Sequence, residues 1–203
     1  MANVIKTHTL FPTLVSEFRH TASKSLLDTI QKEDLETKSP IPFHSRSSEC
    51  NELQKKNEYK EIVDKILDVT KEVCKLYNYE YKSLEITNMW INHSQKGDMH
   101  SPHSHSNNTF SGVWFPLHSK IQTPLYFHDP KGVSGVWQPR KTKVNNLTSN
   151  MMSFKHEKDF GFIFPSWLMH FVPPAVSERV SLSWNIIVRG EYGEPNTLQN
   201  AYI

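Results

Sequence analysis

The sequence predicts a mainly β protein whose helices lie in the N-terminal third and pack on the outside of a sheet. Before residue 80, apolar residues recur at spacings of three and four, which is typical of helices. After residue 80 they alternate in short runs separated by turn residues, which favours an antiparallel sandwich or barrel. The 203 residues can bury one core. We therefore expect a single domain over 1–203, with helical support in 1–80, a β core in 81–189 and a tail in 190–203.

The N-terminal segment predicts an extended piece, a helix and a loop. Residues 10–15 are apolar and broken by Pro12, as in a short strand or extended edge. Residues 24–37 predict a helix with Ser23 as N-cap. The apolar face of this helix holds Leu26, Leu27 and Ile30. Residues 38–50 contain two prolines and four serines, so we expect a loop there.

The clearest helix signal covers residues 57–77. Its apolar face consists of Ile62, Ile66, Val69, Val73 and Leu76, with Lys and Glu on the other face. Such a face is more often a buttress against a sheet than a functional surface, and we predict that role.

The β region predicts seven short strands. They cover residues 84–92, 109–116, 124–128, 151–154, 160–164, 168–172 and 179–188. The last is the strongest, because Val180, Leu182, Trp184 and Ile186 alternate with polar residues. Residues 131–150 and 190–203 predict a loop and a tail. Trp90, Trp114 and Trp184 are expected to pack in the core.

Composition excludes several classes of protein. A formal net charge of +2 gives no indication of nucleic-acid binding, which would need a clustered basic face. Cys50 and Cys74 have neither zinc-finger spacing nor the number that a disulfide framework needs, which fits a reducing compartment. No apolar run is long enough to span a membrane, and we find no signal-peptide pattern. We therefore expect a cytoplasmic location.

Histidines are concentrated in one part of the β region. Six of the eleven lie between His93 and His128. In an extended segment, His103 and His105 would point to the same face and could bind one metal ion. His170 is the best third ligand, although a single histidine on an apolar strand is more often a core residue.

Arg179 and Ser181 indicate a buried anion near these histidines. An arginine that points inward from the start of an apolar strand needs a negative partner, and its planar fork fits a carboxylate. Ser181 could add a hydroxyl to the same group. An exposed arginine at the end of a strand is the alternative.

A series of motifs resembles the iron(II)/2-oxoglutarate-dependent oxygenases, in a bacterial and phage branch related to the prolyl 4-hydroxylases. The motifs are 89–92 (MWIN), Gly97, 103–105 (HSH), 111–114 (SGVW), 127–130 (FHDP), 164–167 (FPSW), His170, 172–174 (VPP) and 179–185 (RVSLSWN). The resemblance implies a double-stranded β-helix (jelly-roll) core with helices on its outer face. It further implies hydroxylation of a C–H bond with iron(II), 2-oxoglutarate and O2, giving succinate and CO2.

Residue by residue, the resemblance makes His103, His105 and His170 the iron ligands. Arg179 takes the position that binds the far carboxylate of 2-oxoglutarate, with Ser181 as a helper. Asn92 and Asn185 could hydrogen-bond the keto acid or the substrate. The implied substrate is a peptide, a protein or a small molecule, and a homodimer is plausible.

His105 departs from the pattern, because most of the superfamily has Asp or Glu at this position. Asp98 or Asp129 could supply the missing oxygen ligand, or His100 could replace one histidine, although we favour the three-histidine set over these. His93, His118 and His128 are expected to line a pocket or lie at the surface. Two other functions stay open: a three-histidine cupin-type enzyme that does not use 2-oxoglutarate, and an inactive jelly-roll binding or structural protein.

Overall fold

The structure is a computed structural model that describes residues 6–33, 35, 43–117, 123–131 and 139–203. Two short 3-10 turns, Leu53–Lys55 and Asn57–Tyr59, precede the second helix. The other elements are, in chain order, β1 Ser16–Arg19, α1 Lys24–Lys32, β2 Arg46–Ser47, α2 Lys60–Tyr77, β3 Ser83–Ser94, β4 His100–His103, β5 Phe110–Trp114, β6 Leu125–His128, β7 Met151–Phe154, β8 Phe160–Pro165, β9 His170–Val172, β10 Arg179–Arg189, β11 Glu191–Tyr192 and β12 Ala201–Tyr202.

Two antiparallel sheets form the body of the protein. The major sheet has the strand order β1-β8-β5-β10-β3-β2, and the minor sheet has the order β4-β9-β6-β7. Strands that are distant in the sequence, such as β3 and β10, are neighbours in the major sheet. The predicted jelly-roll fold with helices on one outer face is confirmed.

The two helices pack on the outer face of the major sheet. Ser23 caps α1, since its hydroxyl accepts a hydrogen bond from the backbone N–H of Leu26, as predicted. Ile62 and Ile66 of α2 are fully buried against the sheet in one hydrophobic cluster with Trp184 of β10. No helix in the described parts of the chain is both long and apolar enough to cross a membrane.

A second hydrophobic cluster lies between the two sheets. Its buried members are Val113, Phe115, Leu125, Phe127, Phe162, Phe164, Leu168 and Val172. Because these residues come from both sheets, this cluster holds the sheets together and forms the inner wall around the site described below.

The two faces of β10 divide the structure into these two environments. Leu182, Trp184 and Ile186 point towards the helices and are at most 1% exposed. The alternate residues include Arg179 and Ser181, which point to the space between the sheets and are also buried. The alternation predicted for this strand therefore separates a structural face from a polar face.

Three predictions in the N-terminal region were wrong in extent. The first strand is Ser16–Arg19, not residues 10–15. It pairs with β8 and forms one edge of the major sheet. Helix α1 ends at Lys32 because Glu33 is extended, with ψ of 132°, so the chain leaves the helix before residue 37. Residues 34 and 36–42, which belong to the predicted helix and loop, lie outside the described residues. The rest of the predicted loop at 38–50 contains β2.

Other elements differ from the sequence prediction in detail. The polar residues His100–His103 form a strand, and the predicted tail contains the β11–β12 hairpin. On α2 the buried face is centred on Ile66 and Cys74. Leu76 lies at the margin of that face and is 65% exposed.

Candidate metal centre

A cavity of about 420 Å³ lies between the two sheets. Its lining contains no Asp or Glu from the described residues, so every lining side chain is neutral or basic. The lining residues are His44, Ser47, Trp90, Asn92, His100, Ser101, His103, His105, Ser111, Gly112, Val113, Phe115, Leu125, Phe164, His170, Val172, Arg179, Ser181 and Ser183.

Three histidines meet on the wall that the minor sheet forms. His103 ends β4 and pairs with His170, the first residue of β9. His105 lies in the following turn, where its backbone N–H donates to the carbonyl of Ser166 at 2.9 Å. The ring centroids lie 4.4 Å (103–170), 5.1 Å (103–105) and 5.2 Å (105–170) apart. One nitrogen from each ring lies within 4.8 Å of the others, so one metal ion could contact all three.

Two of the three rings are oriented by their own backbone. Nδ1 of His103 lies 2.7 Å from the carbonyl of Ser101, and Nδ1 of His170 lies 2.9 Å from the carbonyl of Leu168. A carbonyl oxygen can only accept, so each Nδ1 carries the proton. Nε2 of both rings therefore keeps a free lone pair for a metal ion.

Asn185 supports the third ring. Its side chain is 7% exposed and lies close enough to His105 to affect the pKa of that ring. The hydroxyl of Ser111 donates to Asn185 Oδ1 at 2.8 Å and lies 2.8 Å from the hydroxyl of Ser166. Nε2 of His105 is buried without a hydrogen-bond partner. Asn185 is not among the residues that line the cavity.

Burial lowers the pKa of His105 and His170 and so favours the neutral imidazole, which is the form that binds metal ions. It lowers the pKa of His170 to about 3, and the neighbouring His103 shifts it in the same direction. Burial and His103 also lower the pKa of His105. Three imidazole nitrogen donors on one face fit iron(II), which imidazole binds well, and leave further positions on the metal open.

Arg179 lies in the same cavity with no anionic partner among the described residues. It is 6% exposed, and burial lowers its pKa to about 10, so the guanidinium is still charged at neutral pH. Nε and Nη1 of Arg179 and the hydroxyl of Ser181 are all buried without a hydrogen-bond partner. The guanidinium carbon lies 5.4 Å from the centre of the Phe115 ring. A buried cation and an adjacent hydroxyl that lack partners form a site for an anion.

Asn92 lines the cavity, but its oxygen is already engaged. Oδ1 accepts hydrogen bonds from the hydroxyl of Ser47 and from the indole N–H of Trp90, both at 3.2 Å. Its amide nitrogen donates to the hydroxyl of Ser183 at 3.1 Å. Asn92 therefore orders the polar wall of the cavity and has at most one N–H left for a ligand.

Two further histidines complete the lining. The rings of His44 and His100 stack with centroids 4.7 Å apart and planes 14° apart. Nε2 of His100 is buried without a hydrogen-bond partner. Burial lowers the pKa of His100 to about 2, and the charge of Arg179 contributes to the shift.

The other residues considered as ligands lie elsewhere. Asp98 accepts the backbone N–H of Gln95 at 2.8 Å, and Asp129 accepts that of Lys131 at 3.0 Å. Both carboxylates cap turns, and neither lines the cavity. His93 lies 2.6 Å from the carboxylate of Glu178.

The remaining two histidines add nothing to the cavity. His128 packs on Phe171, and neither residue lines the cavity. His118 lies outside the described residues.

Sequence reasoning missed three contributors to the cavity. Trp90 was expected in the core, but it lines the cavity, and its ring stacks on that of His105 with centroids 6.0 Å apart. Phe115 and His44 carried no motif. Glu85 is the single acidic residue in the predicted strands, and this scarcity was the signal for a neutral or basic lining.

Comparisons with known proteins agree with this geometry. Residues 88–185 match the family described as "Putative 2OG-Fe(II) oxygenase", and this segment contains the three histidines and Arg179. The comparison with curated proteins found no match.

Solved structures with the same fold include proteins of different activity. An oxidoreductase of the 2OG-Fe(II) oxygenase family from Burkholderia pseudomallei aligns with a TM-score of 0.60 at 13% identity, over 85% of this chain and 84% of its own. A prolyl-4-hydroxylase from Pseudomonas putida gives 0.59 at 12% identity, over 88% and 94%. The α-ketoglutarate-dependent epimerase SnoN from nogalamycin biosynthesis gives 0.60 at 8% identity, over 92% and 83%. At such identities the likeness shows the fold.

The fold, the matched segment and the three clustered histidines lead to one conclusion. The segment from residue 88 to residue 185 matches the 2OG-Fe(II) oxygenase family, and the described chain has the jelly-roll fold of these oxygenases.

Proposed function

We propose that this protein is an iron(II)- and 2-oxoglutarate-dependent oxygenase that hydroxylates a C–H bond of a peptide, a protein or a small molecule. In this reaction one oxygen atom of O2 enters the new hydroxyl group and the other enters succinate, while C1 of 2-oxoglutarate leaves as CO2. The observation that carries the proposal is the buried Arg179, unpartnered in the cavity that also holds the three histidines. Metal binding alone would not require this cation.

Each residue has a defined part in the proposal. Nε2 of His103, His105 and His170 would hold iron(II), which supplies the oxidising chemistry. Arg179 and Ser181 bind the far carboxylate of 2-oxoglutarate and so fix the direction in which its keto end points. Asn185 holds His105, and Asn92 keeps Trp90, Ser47 and Ser183 in place beside the reacting groups.

The largely apolar wall behind the site keeps water away from the bound keto acid. Phe115, Phe164 and Val172 line the cavity and belong to the cluster between the sheets. They exclude water from the side where the keto acid would lie. Exclusion of water strengthens the interaction of Arg179 with a carboxylate.

The experiment is succinate formation from 2-oxoglutarate by the purified protein with iron(II) and O2, first alone and then with candidate substrates. Keto-acid binding is measured separately by calorimetry with nickel(II) in place of iron, which prevents turnover. We expect His170→Ala to abolish nickel binding. Arg179→Met should retain nickel but weaken 2-oxoglutarate binding by about 3 kcal/mol or more, because a charged partner is lost.

The matched control is His128→Ala, which removes a histidine of a neighbouring strand outside the cavity. It should bind both ligands as the wild type does. Iron-dependent O2 uptake without 2-oxoglutarate would instead favour a three-histidine cupin-type enzyme. A folded protein that binds no nickel would favour an inactive jelly-roll binding protein, for which the lack of a carboxylate ligand is the supporting observation.

The biological setting forms part of the proposal. Jelly-roll neighbours include both hydroxylases and an epimerase, so hydroxylation is proposed from the prolyl-hydroxylase resemblance and not from the fold. The cytoplasmic location, the homodimer and the lack of a nucleic-acid partner stay predictions.

A further inference from the structure

We propose that His100 is a third residue, beside Arg179 and Ser181, that binds the far carboxylate of the 2-oxo acid. We further propose that His44 positions the His100 ring. This inference rests on the proposed function, since it adds a binding residue for the same 2-oxo acid. It concerns a histidine that neither holds the metal nor belongs to the Arg-x-Ser motif.

The first observation is where unpartnered polar atoms occur. Among the described residues, the buried side-chain atoms without a hydrogen-bond partner include Nε2 of His100, two nitrogens of Arg179 and the hydroxyl of Ser181. All three residues line the same cavity. Buried polar groups in proteins are nearly always paired, so a group of them around one cavity indicates a ligand with several acceptors.

The second observation is the chemistry of these atoms. The guanidinium can only donate, whereas the hydroxyl and the neutral imidazole can donate or accept. A carboxylate offers two oxygens with about four acceptor positions, which matches these donors. No carboxylate of the described protein residues lines the cavity, so a ligand must supply it.

The third observation separates His100 from the metal-binding set. The three clustered histidines place one nitrogen each within 4.8 Å of the others, and His100 is not in that group. Its ring meets that of His103 edge-on at a centroid distance of 6.5 Å. His100 begins β4 and lines the same cavity as Arg179 and Ser181.

His44 fixes the direction of the His100 ring. The two rings are nearly parallel, and Nδ1 of His44 lies 3.3 Å from the carbonyl of Ser45, which fixes the His44 ring in turn. Parallel stacking covers a face of the His100 ring and leaves Nε2 on its edge, where it has no hydrogen-bond partner. His44 acts only through this contact, so any planar ring should replace it.

The test uses nickel-loaded protein and two ligands. 2-Oxoglutarate has the far carboxylate, and 2-oxopentanoate has the same chain length without it. His100→Leu should weaken 2-oxoglutarate binding roughly tenfold or more, because a hydrogen bond to a charged group is lost. Binding of 2-oxopentanoate should not change. His100→Gln should restore most of the loss, because the amide nitrogen of glutamine can take the place of Nε2.

His44 is tested by the same titration. His44→Phe keeps a ring for stacking and should retain 2-oxoglutarate affinity, whereas His44→Ala should lose part of it and leave 2-oxopentanoate unaffected. Nickel content and the unfolding midpoint are measured for each variant, and His128→Leu serves as the control for removal of a histidine.

The outcomes separate this inference from the proposed function. Unchanged 2-oxoglutarate affinity in His100→Leu overturns the inference alone. An equal loss for both ligands also overturns it, because His100 would then act on the metal end. If the wild type binds no 2-oxoglutarate with nickel present, the proposed function fails and the inference fails with it.

Discussion

His156 is buried beneath Phe115, the ring over which Arg179 lies. The His156 and Phe115 rings stack with centroids 3.5 Å apart and planes 5° apart, and His156 is 3% exposed. Nε2 of His156 lies 3.2 Å from the carbonyl of Thr123. This stack supports the platform below Arg179, so a residue outside the cavity contributes to the position of the guanidinium.

His156 should make stability depend on pH. Burial, with a contribution from Arg179, lowers its pKa from 6.5 to about 4. Between these values the unfolded chain binds more protons than the folded protein. The stability is therefore complete above pH 6.5 and is lost as the pH falls towards 4.

We expect His156→Gln to remove this part of the acid sensitivity, because glutamine does not titrate and can still donate to Thr123. Between pH 7 and pH 4 the wild type should lose on the order of 3 kcal/mol more unfolding free energy than the variant. Denaturant unfolding at several pH values measures the difference. His8→Gln, at an exposed position, should behave as the wild type; equal losses in wild type and His156→Gln would contradict the assignment.

Candidate site residues were predictable from the sequence where they form a short motif. The two-residue spacing of His103 and His105 and the Arg-x-Ser motif pointed to residues that the structure brings into one cavity. His100 and His44 could not be assigned in this way, because their importance comes from a stack and an unpaired nitrogen that exist only after folding. The hydrogen bonds that occupy Asn92 were invisible for the same reason.

Strand β5 shows how an element can depend on the lack of a side chain. Gly112 lies opposite Trp184 of β10, which is 1% exposed. A Cβ at position 112 would collide with the Trp184 ring and would lie 2.8 Å from the carbonyl oxygen of Phe162. Neither group can move easily, since one is a buried indole and the other is backbone. Glycine therefore allows β5 to lie flat between β8 and β10.

We expect Gly112→Ala to lower the free energy of unfolding by about 1–3 kcal/mol, as overpacking of a dense core does. Gly161→Ala in β8 is the matched control. The three atoms nearest to a Cβ there all belong to the far end of the Phe18 ring, on the edge strand β1, where the half-buried ring can move aside. Denaturant unfolding of both variants measures the difference. If Gly161→Ala loses as much unfolding free energy as Gly112→Ala, the lack of space for a Cβ determines the cost. The mobility of the neighbouring ring would then not matter.

At the scale of the whole molecule, the described residues form two cores with different relations to the site. The cluster between the helices and the major sheet contains Ile62, which is fully buried and far along the chain from every candidate ligand. The cluster between the sheets contains Phe127, whose ring centroid lies 6.0 Å from that of His170. The first core supports the sheet as a whole, and the second shapes the cavity.

These roles predict that stability and ligand binding can be separated. Ile62→Ala should lower the free energy of unfolding by about 2–5 kcal/mol and leave the nickel affinity of the folded protein unchanged. Phe127→Leu should weaken nickel binding, because His170 loses a ring against which it packs. Calorimetric titration and denaturant unfolding of both variants give the two quantities. Loss of nickel affinity in Ile62→Ala would mean that the two cores are coupled.

At this scale the fold class was predictable from the sequence, but the short peripheral strands were not. Alternation along 179–188 and the helical period of 57–77 come from burial on one face, which a sequence records directly. The strand His100–His103 escaped notice because it is polar and contains Pro102, which an edge strand tolerates. The β11–β12 hairpin was missed because two-residue strands leave no period to detect.

The hydrogen bonds from the His103 and His170 rings end on carbonyl groups two residues earlier in the same chain segment. A peptide carbonyl does not ionise, so no change of pH removes the acceptor while the strands stay paired. The orientation of each imidazole is thus fixed by the backbone of its own segment and not by a distant carboxylate. A change that bends β4 or β9 locally would turn a ring away, even if every side chain of the site were kept.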